Sequence, residues 1–205
     1  MNILALDIAT VTGWAFGAPG SVPRAGTIRW ADVGSSNAAV GCGVLRWVSD
    51  FTKLNKVDAV YFEAPFDPRV MGRKTNFNTT RLLVGLPFLI ETLFEAKGID
   101  VIREAAVGDV RKHFVGKAPR GDEGKAQVQL RCRQLGWKFD SADAADALAV
   151  WSFACAIEEP KTAIATSPLF NVAGATPARR ELSGRALAAA TWPSSAFDDI
   201  EDIPS

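Results

Sequence analysis

The sequence predicts an α/β domain in which helices cover both faces of a mixed five-stranded sheet. Three observations lead there. Three short strand patterns follow one another closely from the N-terminus. Strand and helix patterns then alternate. Two of the most apolar strand patterns end on an acid, at Asp7 and at Glu63. Closely linked strands pair antiparallel, and strand–helix alternation adds parallel neighbours with helices on the faces.

Met1–Asp7 reads as a buried strand, Thr10–Gly17 as a second with Gly13 inside it or at a bulge, and Arg24–Trp30 as a third after the Pro19-Gly20 turn. Asn37–Phe51 has helical spacing through Val40, Val44, Leu45, Val48 and Phe51. Val57–Glu63 is a buried strand that a crossover can set parallel to the first. Asp7 and Glu63 then meet at the carboxyl edge, where α/β sites form. Ala64–Thr75 is a loop. Asn76–Lys97 is a long helix that Pro87 should kink. Ile99–Arg103 is a short strand, and Val107–Phe114 and Glu123–Leu135 are helices around the polar loop Gly116–Asp122. Ser141 caps a last helix reaching about Glu158.

The totals fit one domain, 1–159, with an extension, 160–205. Apolar residues make up 48% of 205, enough for a sizeable core. The extension is rich in Ala, Pro, Ser and Thr, lacks periodicity and reads as extended or disordered. Formal net charge is zero, so any nucleic-acid contact rests on local charge. The three cysteines are widely spaced without a CxxC pair, which argues against a zinc site or a disulfide scaffold. Reduced thiols and the lack of a signal-peptide pattern lead to an expected cytoplasmic location. No apolar run approaches the length of a membrane span.

The stretch Ser141-Ala-Asp143-Ala-Ala-Asp146-Ala-Leu-Ala-Val150 carries the most information. Three-residue spacing puts both aspartates on one face of an Ala-rich helix. Buried carboxylates are costly unless paired or bound to a cation. With Asp7 and Glu63, four acids at the ends of buried elements point to a divalent-metal site. Singly, each acid has an ordinary alternative: a turn former, a strand terminus, a helix cap or a salt-bridged acid.

Four segments, in order, resemble the RuvC-type Holliday junction resolvases of the RNase H-like superfamily. They are Leu6-Asp-Ile-Ala-Thr-Val-Thr-Gly-Trp-Ala15, Ala59-Val-Tyr-Phe-Glu63, Val110-Arg-Lys-His-Phe-Val-Gly116 with Lys125-Ala-Gln-Val-Gln129, and Ala142-Asp-Ala-Ala-Asp-Ala-Leu-Ala149. The resemblance spans about residues 2–158. Ile8-Ala9 stands where the family usually has Pro-Gly, and Leu83-Val-Gly85 where it has a Leu-Gly-Gln type signature. These departures mark a divergent, phage-like branch.

The resemblance implies a metal-dependent endonuclease that resolves Holliday junctions, or related branched DNA, by phosphodiester hydrolysis in recombination and repair. Two Mg²⁺ ions roughly 4 Å apart serve such an in-line displacement, and Mn²⁺ could substitute. Asp7 would bridge them, Glu63 and Asp143 would complete one site, and Asp146 the other. A four-way junction has approximate two-fold symmetry, so a homodimer would supply two matched sites. The Asn76–Lys97 helix has more apolar residues than one face needs and could serve both core and dimer interface.

Arg69, Arg73, Lys74 and Arg81 follow Glu63 with no acid between Pro68 and Arg81, a pattern suited to phosphate. In resembling proteins an aromatic residue of this loop wedges into the junction, so Phe66 and Phe77 are candidates; packing under its own helix is the alternative for Phe77. Arg111, Lys112, Lys117, Arg120 and Lys125 form a second basic group, of which Arg111 and Lys125 are placed by resemblance nearest the active site. His113, Trp14, Trp47 and the cysteines are expected to be structural.

Two other classes compete. An actin-like ATP-binding fold also opens with a strand ending in an acid, but it needs a second phosphate loop and a Gly-rich adenosine site, neither of which is found. A same-fold nuclease for flaps, forks or RNA-containing duplexes, and a non-catalytic binder of DNA structures, complete the alternatives.

Overall fold

The computed structural model describes residues 1–65, 77–117 and 121–161. Contacts divide the chain into Met1–Asn171 and Val172–Ser205, and every described residue belongs to the first unit. The strands are β1 (Ile3–Asp7), β2 (Val11–Gly17), β3 (Arg24–Arg29), β4 (Ala59–Glu63) and β5 (Val101–Ala105). The helices are α1 (Asn37–Leu54), α2 (Phe77–Ala96), α3 (Val107–Val115), α4 (Gly121–Gln134) and α5 (Ala142–Glu158).

The sheet order is β3-β2-β1-β4-β5. β1 and β2, and β2 and β3, pair antiparallel; β1 and β4, and β4 and β5, pair parallel. The sheet is therefore mixed: its parallel half centres on β4, and β1 joins that half to the antiparallel one.

Alternation along the strands separates two cores. Ile3, Ala5 and Tyr61 face α3, α4 and α5 with Leu148 and Trp151. Leu4, Leu6, Val60 and Phe62 face α1 and α2 with Val44, Ile90 and Phe94. α5 is buried at nearly every position from Ala144 to Cys155. A helix apolar all round belongs inside, and its alanines let it lie close on the sheet.

Gly13 is where that approach is tightest. It lies within β2 paired to Asp7, with no extra residue on either strand. A Cβ there would collide with the Asp143 carbonyl and the Ala144 amide. The first turn of α5 thus presses on the sheet beside the last residue of β1.

Two boundaries differ from the sequence reading for a physical reason. β5 starts at Val101, not Ile99. Gly98 (φ +75°) closes α2 and the Ile99 amide donates back to the Phe94 carbonyl, so Ile99 belongs to the helix ending. α4 begins at Gly121, which puts Asp122 and Glu123 in its first turn, where the helix dipole favours acids. α2 runs through Pro87 as one helix, as the sequence reading had it, with Pro87 buried inside it. Among the described residues no helix is long and apolar enough to cross a membrane.

Candidate active site

Leu6 pairs with Phe62 across β1 and β4, so the next residues, Asp7 and Glu63, end their strands side by side. A hydrogen bond joins the two carboxyls. Burial, then the neighbouring Glu63 charge and that bond, push Asp7 up to about 8. Burial also raises Glu63, although the bond to Asp7 and the Arg111 and Lys125 charges oppose it. Two carboxylates this close cannot both ionise cheaply, so the pair holds a proton, with Asp7 its main holder.

α5 brings the other two acids. Ser141 caps it, accepting from the Ala144 amide at 3.0 Å, and its hydroxyl lies 2.6 Å from the Thr27 hydroxyl on β3. Thr27 also donates to Asp140 at 2.7 Å. The start of the helix is thereby tied to the sheet. Asp143 lies in its first turn, and Asp146, one turn on, is 9% exposed. Burial and then the Asp7 charge raise Asp146 to about 6. Each of the four acids therefore acts on at least two of the others at one edge of the sheet.

Two cations face them. Lys125 Nζ on α4 is 3.7 Å from Asp143 Oδ1 and 3.9 Å from Asp146 Oδ2. Arg111 on α3 lowers both Glu63 and Asp146 by its charge. With those two acids it borders a small recess walled by Val110, Val128 and Val150.

Among the described residues, no group of three or more His, Cys, Asp or Glu side chains is placed to hold a metal ion. The donor chemistry nonetheless fits a hard divalent cation. All four groups offer oxygen, and Mg²⁺ retains waters, needing only a few carboxylates.

The remaining sequence candidates divide. Phe77 opens α2 and is 79% exposed, so it does not pack under its own helix. Lys112 is exposed in the last turn of α3. Lys117 pairs with Glu123 at 3.6 Å, both well exposed. Phe66, Arg69, Arg73, Lys74 and Arg120 lie outside the described residues, as does the 162–205 segment. His113 contacts the Ser152 hydroxyl at 3.1 Å and meets Phe153 edge-on, and burial holds it below its usual range, a packing role. Thr12, Thr27 and Trp30 escaped the sequence reading. A buried Thr after an acid-ended strand is a weak signal for the first; the other two act only through contacts distant in sequence.

No protein-family model matches the chain, and no curated protein matches it. Solved structures do. Thermus thermophilus RuvC aligns with a TM-score of 0.55 at 16% identity, over 82% of this chain and 98% of that one. The same protein in complex with a Holliday junction substrate aligns with a TM-score of 0.60 at 15% identity and the same coverage. The chain has the RuvC fold. The RNase H-like sheet expected from the sequence is the one observed. A weaker likeness, TM-score 0.49 at 9% identity, is to the yeast mitochondrial Holliday junction resolvase Ydc2, over 72% of this chain and 75% of that one.

Proposed function

We propose that this protein is a divalent-metal-dependent endonuclease that cuts four-way DNA junctions. The reading rests above all on four carboxylates at the carboxyl edge of a RuvC-type sheet: Asp7, Glu63 and Asp146, all raised, and Asp143, whose charge adds to the rise of Asp7 and Asp146. The junction-bound RuvC structure, similar over nearly its whole length, supports branched DNA as the substrate class.

In this mechanism the four carboxylates would hold Mg²⁺, with Mn²⁺ as an alternative. When bound, the metal supplies water activation and charge neutralisation at the phosphodiester. Asp7 and Asp146 must release their protons to serve as ligands. Arg111 and Lys125 offset the carboxylate charge and remain near enough to meet a phosphate. Lys112 and Lys117, with Arg69, Arg73, Lys74 and Arg120, extend the phosphate contacts, and Phe66 or Phe77 wedges the junction.

A homodimer provides the second cut. Val84 and Phe88 are exposed on α2 on either side of Gly85, and Phe88 is 70% exposed. An apolar patch of this kind on a helix face suits a self-complementary contact.

The test incubates the purified protein with a labelled four-way junction and a matched linear duplex, with Mg²⁺ or EDTA. Metal-dependent nicks, symmetric and confined to the junction, are expected. Equal cutting of both DNAs, or no cutting with Mg²⁺ or with Mn²⁺ in its place, would overturn the junction-specific reading.

A further inference from the structure

The turn after Asp7 is held in an unusual way. Between Asp7 and its strand partner Gly13 lie Ile8, Ala9, Thr10, Val11 and Thr12. None is a glycine or proline that would set a turn through its own backbone. Side chains fix it instead. The Thr12 hydroxyl, fully buried, accepts from the Ala9 amide at 3.1 Å and donates to the Ala9 carbonyl at 2.7 Å. The Trp30 indole N–H donates to the same carbonyl at 2.8 Å. The Trp30 backbone amide donates to the Thr10 carbonyl at 3.4 Å.

Trp30 has little room to move. It is buried, and α1 passes so close that a Cβ on Gly43 would collide with the Trp30 carbonyl. Its ring meets Trp47 edge-on at 5.7 Å, and Trp47 stacks on Phe51 at 4.7 Å. A rigid aromatic block on α1 therefore fixes an N–H that fixes the turn two residues beyond Asp7.

We infer that Trp30 is a positioning residue for the Asp7 carboxylate, acting through the Ala9 carbonyl. The inference rests on the metal-binding role proposed for Asp7. Ligand carboxylates must be held within a fraction of an ångström, and groups behind the ligands carry much of that precision. In this chain the indole N–H and the Thr12 hydroxyl supply what backbone geometry alone does not.

The experiment compares Trp30→Phe with Trp47→Phe in the full chain, using Mn²⁺ alone as the probe. Mn²⁺ binding is read by electron paramagnetic resonance without DNA, and stability by urea unfolding. Both variants remove an indole from the same aromatic block, but Trp47 makes no hydrogen bond to the turn. Trp30→Phe should weaken Mn²⁺ binding about fivefold, the worth of one hydrogen bond, with junction affinity in EDTA unchanged. Trp47→Phe, which keeps a ring against Trp30 and leaves the Trp30 N–H in place, should lower the unfolding midpoint and weaken Mn²⁺ binding less than about twofold. Equal Mn²⁺ binding by Trp30→Phe and the parent overturns the inference alone. So does equal weakening in both variants, which would mark a packing effect. A parent that binds no Mn²⁺ overturns the proposed function and this inference with it.

Discussion

The two ends of α5 treat their acids in opposite ways. At the C-terminal end Glu158 accepts from the Tyr61 hydroxyl at 2.5 Å and pairs with Arg103 at 3.1 Å. Arg103 also donates to Tyr61 at 3.3 Å, and burial and Glu158 push the Tyr61 hydroxyl upward. One acid there has two partners. At the N-terminal end four acids share Lys125 and Arg111, and Asp7 rises to about 8. The first arrangement is complete and joins helix to sheet. The second is charge-imbalanced, and a fold retains such imbalance where a ligand resolves it.

Removing an acid should break the contrast most sharply at the crowded end. Asp7→Asn or Asp146→Asn should lower junction cleavage by on the order of 10³-fold or more, while binding to the uncut junction in EDTA persists. Gel-resolved cleavage and binding on the same preparation check this, and cleavage near the parental rate would count against the site. At the paired end, Glu158→Gln should cost about 1 kcal/mol in urea unfolding and leave cleavage unchanged, since Arg103 is half exposed and solvent screens much of its charge.

The crowded end should also show itself in pH dependence. Asp7 and Asp146 lie above their ordinary value of 3.8, at about 8 and about 6. Between the ordinary and the raised values the folded chain binds more protons than the unfolded one, so stability falls as pH rises through that window. Thermal unfolding of the metal-free protein should therefore fall from about pH 4 to about pH 8, and millimolar Mg²⁺ should flatten the slope. A melting temperature that climbs over this range would contradict the protonation of Asp7. The exposed Lys117–Glu123 pair sets the lower bound of effect. Glu123→Gln should change stability by less than about 0.5 kcal/mol in the same urea assay.

Much of this was readable from local pattern. β1 and β4 announce themselves as apolar runs that stop on an acid, and a parallel register needs only the crossover between them. Ser141 and the Asp143/Asp146 spacing give the cap and shared face of α5. What local pattern misses depends on partners far along the chain. Thr27 meets Ser141 across 114 positions and Tyr61 meets Glu158 across 97. Ile99 looked like strand because it is apolar and follows a glycine, yet its amide closes α2 instead. For Phe77 the sequence left two readings, a wedge or packing under its own helix, and its exposure in the first turn of α2 removes the second. Trp30 carried no signal at all, because its role lies in one indole N–H aimed at the Ala9 carbonyl in the turn between β1 and β2.

The most direct test of the contrast is calorimetric titration of Mn²⁺ into the parent, Asp146→Asn and Glu158→Gln at matched pH. The parent and Glu158→Gln should bind alike, and Asp146→Asn should lose most of the signal. Parental binding by Asp146→Asn, or its loss in Glu158→Gln, would contradict the assignment of the crowded end of α5 as the metal site.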